Sequence, residues 1–281
     1  MKILLTGANG QLGRCFQDRL PSGWQIWATD SELLDITDLQ RVEQAVAQYQ
    51  PDAIVNAAAY TAVDKAESEP MLAELINTTG PANLAAAAHK HNAQLVHVST
   101  DYVFDGKAEK PYTETSPTNP LSIYGKTKLA GEQTVTAVVP DAIIVRTAWV
   151  FSEYGNNFVK TMLRLAKERD TLSIVGDQRG CPTYAGDLAQ AIILLLQQQA
   201  PGGIYHYCGD KEVSWYDFAK TIFDIAQNKG VLTKPPKLIS ITTEQYPTPA
   251  FRPSYSVLEC SKVKKLSLVP SNWQIALRNI L

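Results

Sequence analysis

Lys2-Ile-Leu-Leu-Thr6-Gly7-Ala-Asn-Gly10-Gln11-Leu12-Gly13 opens the chain, and this stretch decides the fold. An apolar run, Lys2 to Thr6, breaks at Gly7, and from Gly10 to Leu20 the apolar residues Leu12, Phe16 and Leu20 recur at helical spacing. Glycines between a strand and a helix let the backbone turn tightly and approach a pyrophosphate, whose charge meets free amides and the positive helix end. The spacing is G-x-x-G-x-x-G, not G-x-G-x-x-G. Such a turn serves equally as a plain βα connection, but its strand–turn–helix setting is the one a dinucleotide site requires. Gly7, Gly10, Gln11, Leu12 and Gly13 are the first candidate cofactor-binding residues.

Outward from this turn, strand-like and helix-like stretches alternate. Gln25 to Thr29 reads as a second strand, and a helix capped near Thr37 or Asp38 carries Leu39, Val42 and Val46. Ala53 to Ala57, Leu95 to Ser99 and Ala142 to Thr147 are further strand candidates, and an alanine-rich helix is expected from about Met71 to His91. This alternation implies βαβ crossovers and an α/β fold, a Rossmann-type doubly wound parallel sheet. Asp30 ends the second strand, where a carboxylate accepts hydrogen bonds from an adenosine ribose. That favours NAD over NADP, because a 2′-phosphate would meet like charge, while Arg14 is a candidate to offset the repulsion. Asp35 and Ile36 are placed to border the adenine; Ala59, Tyr60 and Thr61 follow the third inner strand, where small residues let the backbone pass close to a cofactor.

The second half is less regular. Asn156 to Glu168 and Asp187 to Gln199 have helical periodicity, Ile204 to Cys208 is a strand candidate, and Ser214-Trp-Tyr-Asp217 is a capping box opening a helix through Gln227. Past Lys229 the prolines predict loops and small elements. The expected plan is a dinucleotide-binding domain, 1–150, rejoined by about 185–210, and a smaller C-terminal substrate domain from 151–184 and 211–281.

Composition narrows the class. With 26 basic and 28 acidic side chains in 281 residues, the chain lacks the basic surface of a nucleic-acid binder. Its greasiest run, Ala189 to Leu196, is far short of a membrane span, and the amino terminus does not read as a signal peptide. Cys15, Cys181, Cys208 and Cys260 are widely spaced and read as reduced thiols of a cytoplasmic protein. His89, His91, His97 and His206 show no metal-ligand spacing, so no metal site is expected.

The chemistry is expected around Tyr124-Gly-Lys-Thr-Lys128, whose phenol and ammonium share a helix face. A free tyrosine has a pKa of about 10, and a neighbouring lysine charge draws it toward neutrality. Y-x-x-x-K is frequent by chance on solvated helices. A third partner narrows the choice: Ser99-Thr100-Asp101 ends the preceding strand, where open sheets bind ligands and Thr100 can donate to a carbonyl oxygen.

Together the T-G-x-x-G-x-x-G and Y-x-x-x-K motifs resemble those of the extended short-chain dehydrogenase/reductase superfamily, whose members act largely on nucleotide sugars. The resemblance to its nucleotide-sugar reductases runs nearly end to end. Beyond the two general motifs it rests on Val55–Ala59, Thr61–Pro70 (TAVDKAESEP), Ser99–Phe104, Arg146–Val150, Gly155–Phe158, Thr161–Arg169 and Tyr246–Ala250 (YPTPA). It implies NADPH- or NADH-dependent reduction of the 4-keto group of dTDP-4-dehydro-β-L-rhamnose to dTDP-L-rhamnose, a cell-surface polysaccharide precursor. Tyr124 would protonate the oxygen, Lys128 would tune Tyr124 and hold the ribose, and Thr100 would polarise the carbonyl. Asp101 and Trp149 would contact the sugar, with Asn157 and Arg252 toward the diphosphate. Some relatives bridge a dimer through magnesium on a glutamate two residues after the third glycine; Cys15 stands there, which puts that form in doubt and leaves the homodimer open. Two rivals share much of the pattern: an epimerase or dehydratase that keeps its NAD bound through turnover, and a non-catalytic dinucleotide-binding regulatory subunit. The intact Thr100, Tyr124 and Lys128 argue against the latter.

Overall fold

Strand β1 (Lys2–Thr6) places Ile3, Leu4 and Leu5 with no exposed surface, as a central parallel strand covered on both faces demands. The protein is described here by a computed structural model covering residues 1–281. After β1 come α1 (Gln11–Asp18), β2 (Gln25–Thr29), α2 (Leu39–Tyr49), β3 (Ala53–Asn56), α3 (Val63–Ala66), α4 (Pro70–Glu74) and α5 (Gly80–His91). Then follow β4 (Gln94–Thr100), α6 (Ile123–Val138), β5 (Ile143–Thr147), β6 (Val150–Phe151), α7 (Phe158–Glu168), β7 (Thr171–Val175), β8 (Arg179–Gly180) and β9 (Thr183–Tyr184). The chain closes with α8 (Ala185–Gln197), β10 (Gly203–His206), β11 (Val213–Ser214), α9 (Trp215–Asn228), β12 (Lys237–Ile241), α10 (Ser261–Lys265) and α11 (Trp273–Ile280).

Six strands form one parallel sheet in the order β10-β5-β4-β3-β1-β2. The order reverses at β1, so a crevice opens between the carboxyl ends of β1 and β3. Successive strand residues feed opposite layers: Ile3 and Leu5 pack with Phe16, Leu188 and Ile192, whereas Leu4 packs with Val42, Leu84 and Val135. A third apolar core, Phe151, Met162, Ile174, Phe218, Phe223 and Trp273, lies in the chain's second half. No helix is long and apolar enough to cross a membrane.

The long helix expected near Met71–His91 is interrupted by a π turn at Leu75–Thr79. Pro81 has no amide hydrogen to give the Asn77 carbonyl, and the wider turn accommodates the defect. Buried Asn77 then accepts from the Tyr60 amide (2.8 Å) and donates to the Tyr60 carbonyl (3.1 Å), pinning the loop after β3. In the second half, Ser214 and Asp217 form the expected capping box of α9. Among the loops and small elements expected past Lys229, the proline-flanked Lys237–Ile241 is a strand paired in parallel with β7.

One charged pair lies between α6 and the sheet. Arg146, on β5, meets Glu132 bidentately, Nε to Oε1 at 2.9 Å and Nη2 to Oε2 at 2.6 Å, with both side chains buried and Ser99 Oγ donating to Oε1. Removing one partner strands a buried charge, so Arg146→Met should cost about 3–5 kcal/mol, whereas adding Glu132→Leu should restore most of it. Urea unfolding of the single and double variants checks this; equal losses in both would show that the charge is not what destabilises the single variant.

Candidate active site

At the carboxyl edge of the sheet runs a cleft of about 950 Å³, lined from the glycine turn to the second half of the chain. Of the residues proposed from sequence, Gly7, Gly10, Gln11, Leu12, Gly13, Asp30, Asp35, Ile36, Ala59, Thr61, Thr100, Asp101, Tyr124, Lys128, Trp149 and Asn157 line it. Tyr60 and Arg252 do not. Tyr60 turns its hydroxyl to Glu69 (2.5 Å), and Arg252 is engaged by Asp64.

The first turn is shaped by lack of side chains. Gly7 has φ +71°, and a β-carbon there would lie 2.6 Å from the Ala57 carbonyl; at Gly13 one would lie 2.2 Å from the Gly7 oxygen. Gly10 caps α1 without a side-chain hydrogen bond, so the first amides of that helix remain available to an anion. Asp30 follows β2 and accepts from Asn9 Nδ2 (2.6 Å) and from the amides of Glu32 and Leu33. Arg14, the expected counter-charge, instead places its guanidinium over the Tyr154 ring, 5.6 Å from its centroid. The backbone cradle, the Asp30 carboxylate beside it and a cleft of this volume fit a dinucleotide.

Helix α6 presents the next pair. Ser122 caps it, accepting from the Gly125 amide, and Lys128 donates to the Val98 carbonyl of β4 at 2.7 Å. Burial lowers the Lys128 ammonium to about 8, with Glu132 one turn on opposing the shift. Burial pushes the Tyr124 phenol up to about 12; the facing Thr100 hydroxyl opposes this and Asp101 adds to it. The expectation that Lys128 draws the phenol toward neutrality is therefore corrected: desolvation dominates, and the ammonium is turned to Val98.

Beside them, Thr100 Oγ1 donates to Asp101 Oδ1 (3.0 Å) and accepts from the Tyr102 amide (3.2 Å). Burial raises the Asp101 carboxyl to about 6, against the lowering effect of the Ser256 and Thr100 hydroxyls; its Oδ2 has no partner. The Thr147 hydroxyl, also buried and unpartnered, comes from the residue paired with Thr100 across the sheet. Two polar atoms thus lie unsatisfied in a ligand cleft.

Two of these residues are engaged by other protein groups, and two cleft residues were missed. Trp149 adopts φ +48°, strained backbone for a residue with a β-carbon, and one indole face is covered by Trp215 at 3.5 Å and 8°. The expected sugar-stacking surface is thus a tryptophan pair. Asn157 caps α7 through its Oδ1 and ties its Nδ2 to Gln11, Ser152 and Tyr154, so its polar atoms serve the wall of the cleft. Trp215 and Thr147 were not identified from sequence. The capping box marked where α9 begins but carried no sign that its first residue reaches the cleft.

A doubly wound parallel sheet with a glycine cradle at its first turn and a Tyr-x-x-x-Lys helix against its fourth strand defines an extended short-chain dehydrogenase/reductase, a class of oxidoreductase. The chain matches the family described as RmlD substrate binding domain over residues 1–281. The chain belongs to that family. It is 47% identical to the dTDP-4-dehydrorhamnose reductase of Aggregatibacter actinomycetemcomitans, over 99% of this chain and 98% of that protein. Among solved structures, a dTDP-4-dehydrorhamnose reductase from Clostridium acetobutylicum superposes with TM-score 0.94 at 44% identity, covering 100% of this chain and 98% of the other. The Bacillus anthracis dTDP-4-dehydrorhamnose reductase, solved with NADP, gives 0.93 at 40%, covering 99% and 98%.

If Asp30 meets the adenosine ribose, Asp30→Ala should weaken NADH by about tenfold and NADPH by much less, as loss of a charge-assisted hydrogen bond predicts. Fluorescence titration of both cofactors checks this; equal weakening would show that the carboxylate serves only its own loop.

Proposed function

We propose that this protein is an NAD(P)H-dependent reductase that converts dTDP-4-dehydro-β-L-rhamnose to dTDP-L-rhamnose. The observation that carries the reading is the convergence of Tyr124, Lys128 and Thr100 at one cleft in a chain whose full-length relatives bear that activity. Residues 1–150 with about 185–210 form the dinucleotide part in this reading. Residues 151–184 and 211–281 form the sugar-nucleotide part, a division supported by an apolar core drawn from these ranges, although Val257, Leu258, Val263 and Leu268 pack with the first core.

The bound dinucleotide supplies a hydride to the 4-keto carbon. The cradle of Gly7, Gly10 and Gly13, with the first amides of α1, holds its pyrophosphate, and Asp30 takes the adenosine ribose. A phenol held near 12 is fully protonated at neutral pH, which is the form a reduction needs. The sugar alkoxide is a far stronger base, so proton transfer from Tyr124 runs downhill. Lys128, charged below about pH 8 and fixed on Val98, offers its remaining ammonium protons to the ribose. Thr100 polarises the carbonyl by turning its proton from Asp101 toward the substrate, while Asp101 Oδ2 accepts from a sugar hydroxyl. Trp149 and Trp215 form the apolar wall of the sugar subsite. At the position where a magnesium-bridged dimer needs a carboxylate, Cys15 has no exposed surface and burial pushes its thiol up to about 12, so it offers no ligand.

Oxidation of NADH or NADPH with enzymatically made dTDP-4-dehydro-β-L-rhamnose tests the reading, a UDP-linked keto sugar serving as comparison; no turnover of the former overturns it. Tyr124→Phe should lower kcat by roughly two to four orders of magnitude with cofactor affinity nearly unchanged, and near-normal turnover would remove Tyr124 as the donor. The rate should also fall as pH rises through about 8, where Lys128 loses its proton. A profile flat to about pH 10 would remove the charged ammonium from the mechanism.

A further inference from the structure

Two runs that set this chain's reductase-like sequence apart from the general superfamily motifs, TAVDKAESEP at Thr61–Pro70 and YPTPA at Tyr246–Ala250, take no part in the chemistry described above. The structure joins them. Asp64 Oδ1 accepts from Arg252 Nη1 (2.9 Å) and from the Ala250 amide (3.2 Å), and Oδ2 accepts from Arg252 Nη2 (2.9 Å). Between Pro247 and Arg252, every hydrogen bond that leaves the segment ends on this one carboxylate. From Pro253 onward the chain is fixed otherwise: Pro253 packs on Gly106, Ser254 Oγ donates to the Gly106 carbonyl, and Ser254 and Ser256 pair with the Arg179 backbone.

The anchored segment borders the site. Val63, next to Asp64, and Tyr102 both line the cleft, and the Tyr102 ring meets Tyr124 edge-on with centroids 5.5 Å apart. The Asp64 and Arg252 charges are close enough to act on the Tyr102 phenol, with opposite effects. Ser256, just beyond the segment, faces Asp101. Phe251 and Tyr246 are exposed, and within the segment only Ala250 is buried.

We propose that Asp64 is a positioning residue that clamps Pro247–Arg252 against the sugar-nucleotide end of the cleft and fixes the Arg252 guanidinium at its rim. A half-exposed ion pair adds little to global stability. Its value is geometric: the fork of Arg252 fits the carboxylate in one orientation, and the Ala250 amide fixes the backbone beside it. With both Nη groups held, Arg252 keeps Nε–H without a protein partner, a donor suited to an anionic nucleotide sugar arriving beside it. The clamp serves substrate capture, not the proton or hydride step, and as a statement about the substrate it rests on the function proposed above.

The test pairs two measurements on the full-length protein. In the absence of any substrate, Asp64→Asn should speed amide hydrogen exchange across residues 246–252 by about tenfold or more, leaving the glycine turn and α6 unchanged. In turnover, Asp64→Asn should raise KM for the nucleotide sugar about tenfold with kcat and cofactor affinity within about twofold, and Asp64→Glu, which keeps the charge, should recover part of the loss. Unchanged exchange overturns the clamp. An unchanged KM, a fall in kcat alone, or a parallel loss of cofactor affinity overturns its role in substrate capture. If the wild-type protein fails to reduce the keto sugar, the proposed function falls, and the exchange measurement still decides whether Asp64 holds the segment.

Discussion

The site depends on how closely α6 approaches the structure beneath it. A β-carbon at Gly125 would lie 2.3 Å from the Tyr102 carbonyl oxygen, and one at Gly131 would lie 2.1 Å from that of Asn77. With glycine at both positions the helix settles onto β4 and the π turn, and Lys128 reaches the Val98 carbonyl. The same approach desolvates both reactive side chains, and burial acts on them in opposite senses. The phenol becomes a weaker acid and the ammonium a stronger one. Near neutral pH the pair is therefore a protonated donor beside a cation, the combination that a carbonyl reduction uses.

Such packing carries a penalty that the surroundings compensate. The strands are apolar through their middles but end in polar residues. Thr6 donates to Asn56 (2.7 Å) and Asn56 meets His97 (3.0 Å), a ladder across the carboxyl ends of β1, β3 and β4. Burial drives the His97 pKa far down, so its ring is neutral and can accept from the Asn56 amide. Beneath α6, Arg146 and Ser99 satisfy the Glu132 carboxylate, which sits one turn from Lys128 and favours its charged form. These contacts pair most of the buried polar atoms, leaving His97 Nε2 and Arg146 Nη1 without a partner. The polar atoms left open inside the cleft, Asp101 Oδ2 and Thr147 Oγ1, are those that a ligand can satisfy.

What the sequence revealed and what it hid divide along the same physical line. The first turn was legible because its constraint is local: Gly7, Gly10 and Gly13 serve one turn and one helix start, and the strand before them has a clear pattern. Tyr124 and Lys128 were legible because a four-residue interval on a helix is itself a contact. The Trp149–Trp215 stack, the Asn77 brace on Tyr60 and the Asp64–Arg252 ion pair join residues far apart in the chain, and no periodicity announces such pairs. The direction of the Tyr124 shift was misread for a related reason: the lysine is visible in the sequence, whereas the depth of burial is a property of the assembled fold.

This division bears on how one scaffold can serve several reactions. The dinucleotide end of the cleft is made largely by backbone, by glycines that admit close approach and by free helix amides, and it constrains few side chains elsewhere. The other end of the cleft is lined by side chains delivered from separate excursions, Trp149 after β5 and Trp215 at the start of α9. Their placement involves long-range contacts such as the indole stack. In a fold arranged in this way the glycine cradle can stay fixed while the far end of the cleft changes, so long-range contacts of the second half are where such a scaffold can vary its substrate.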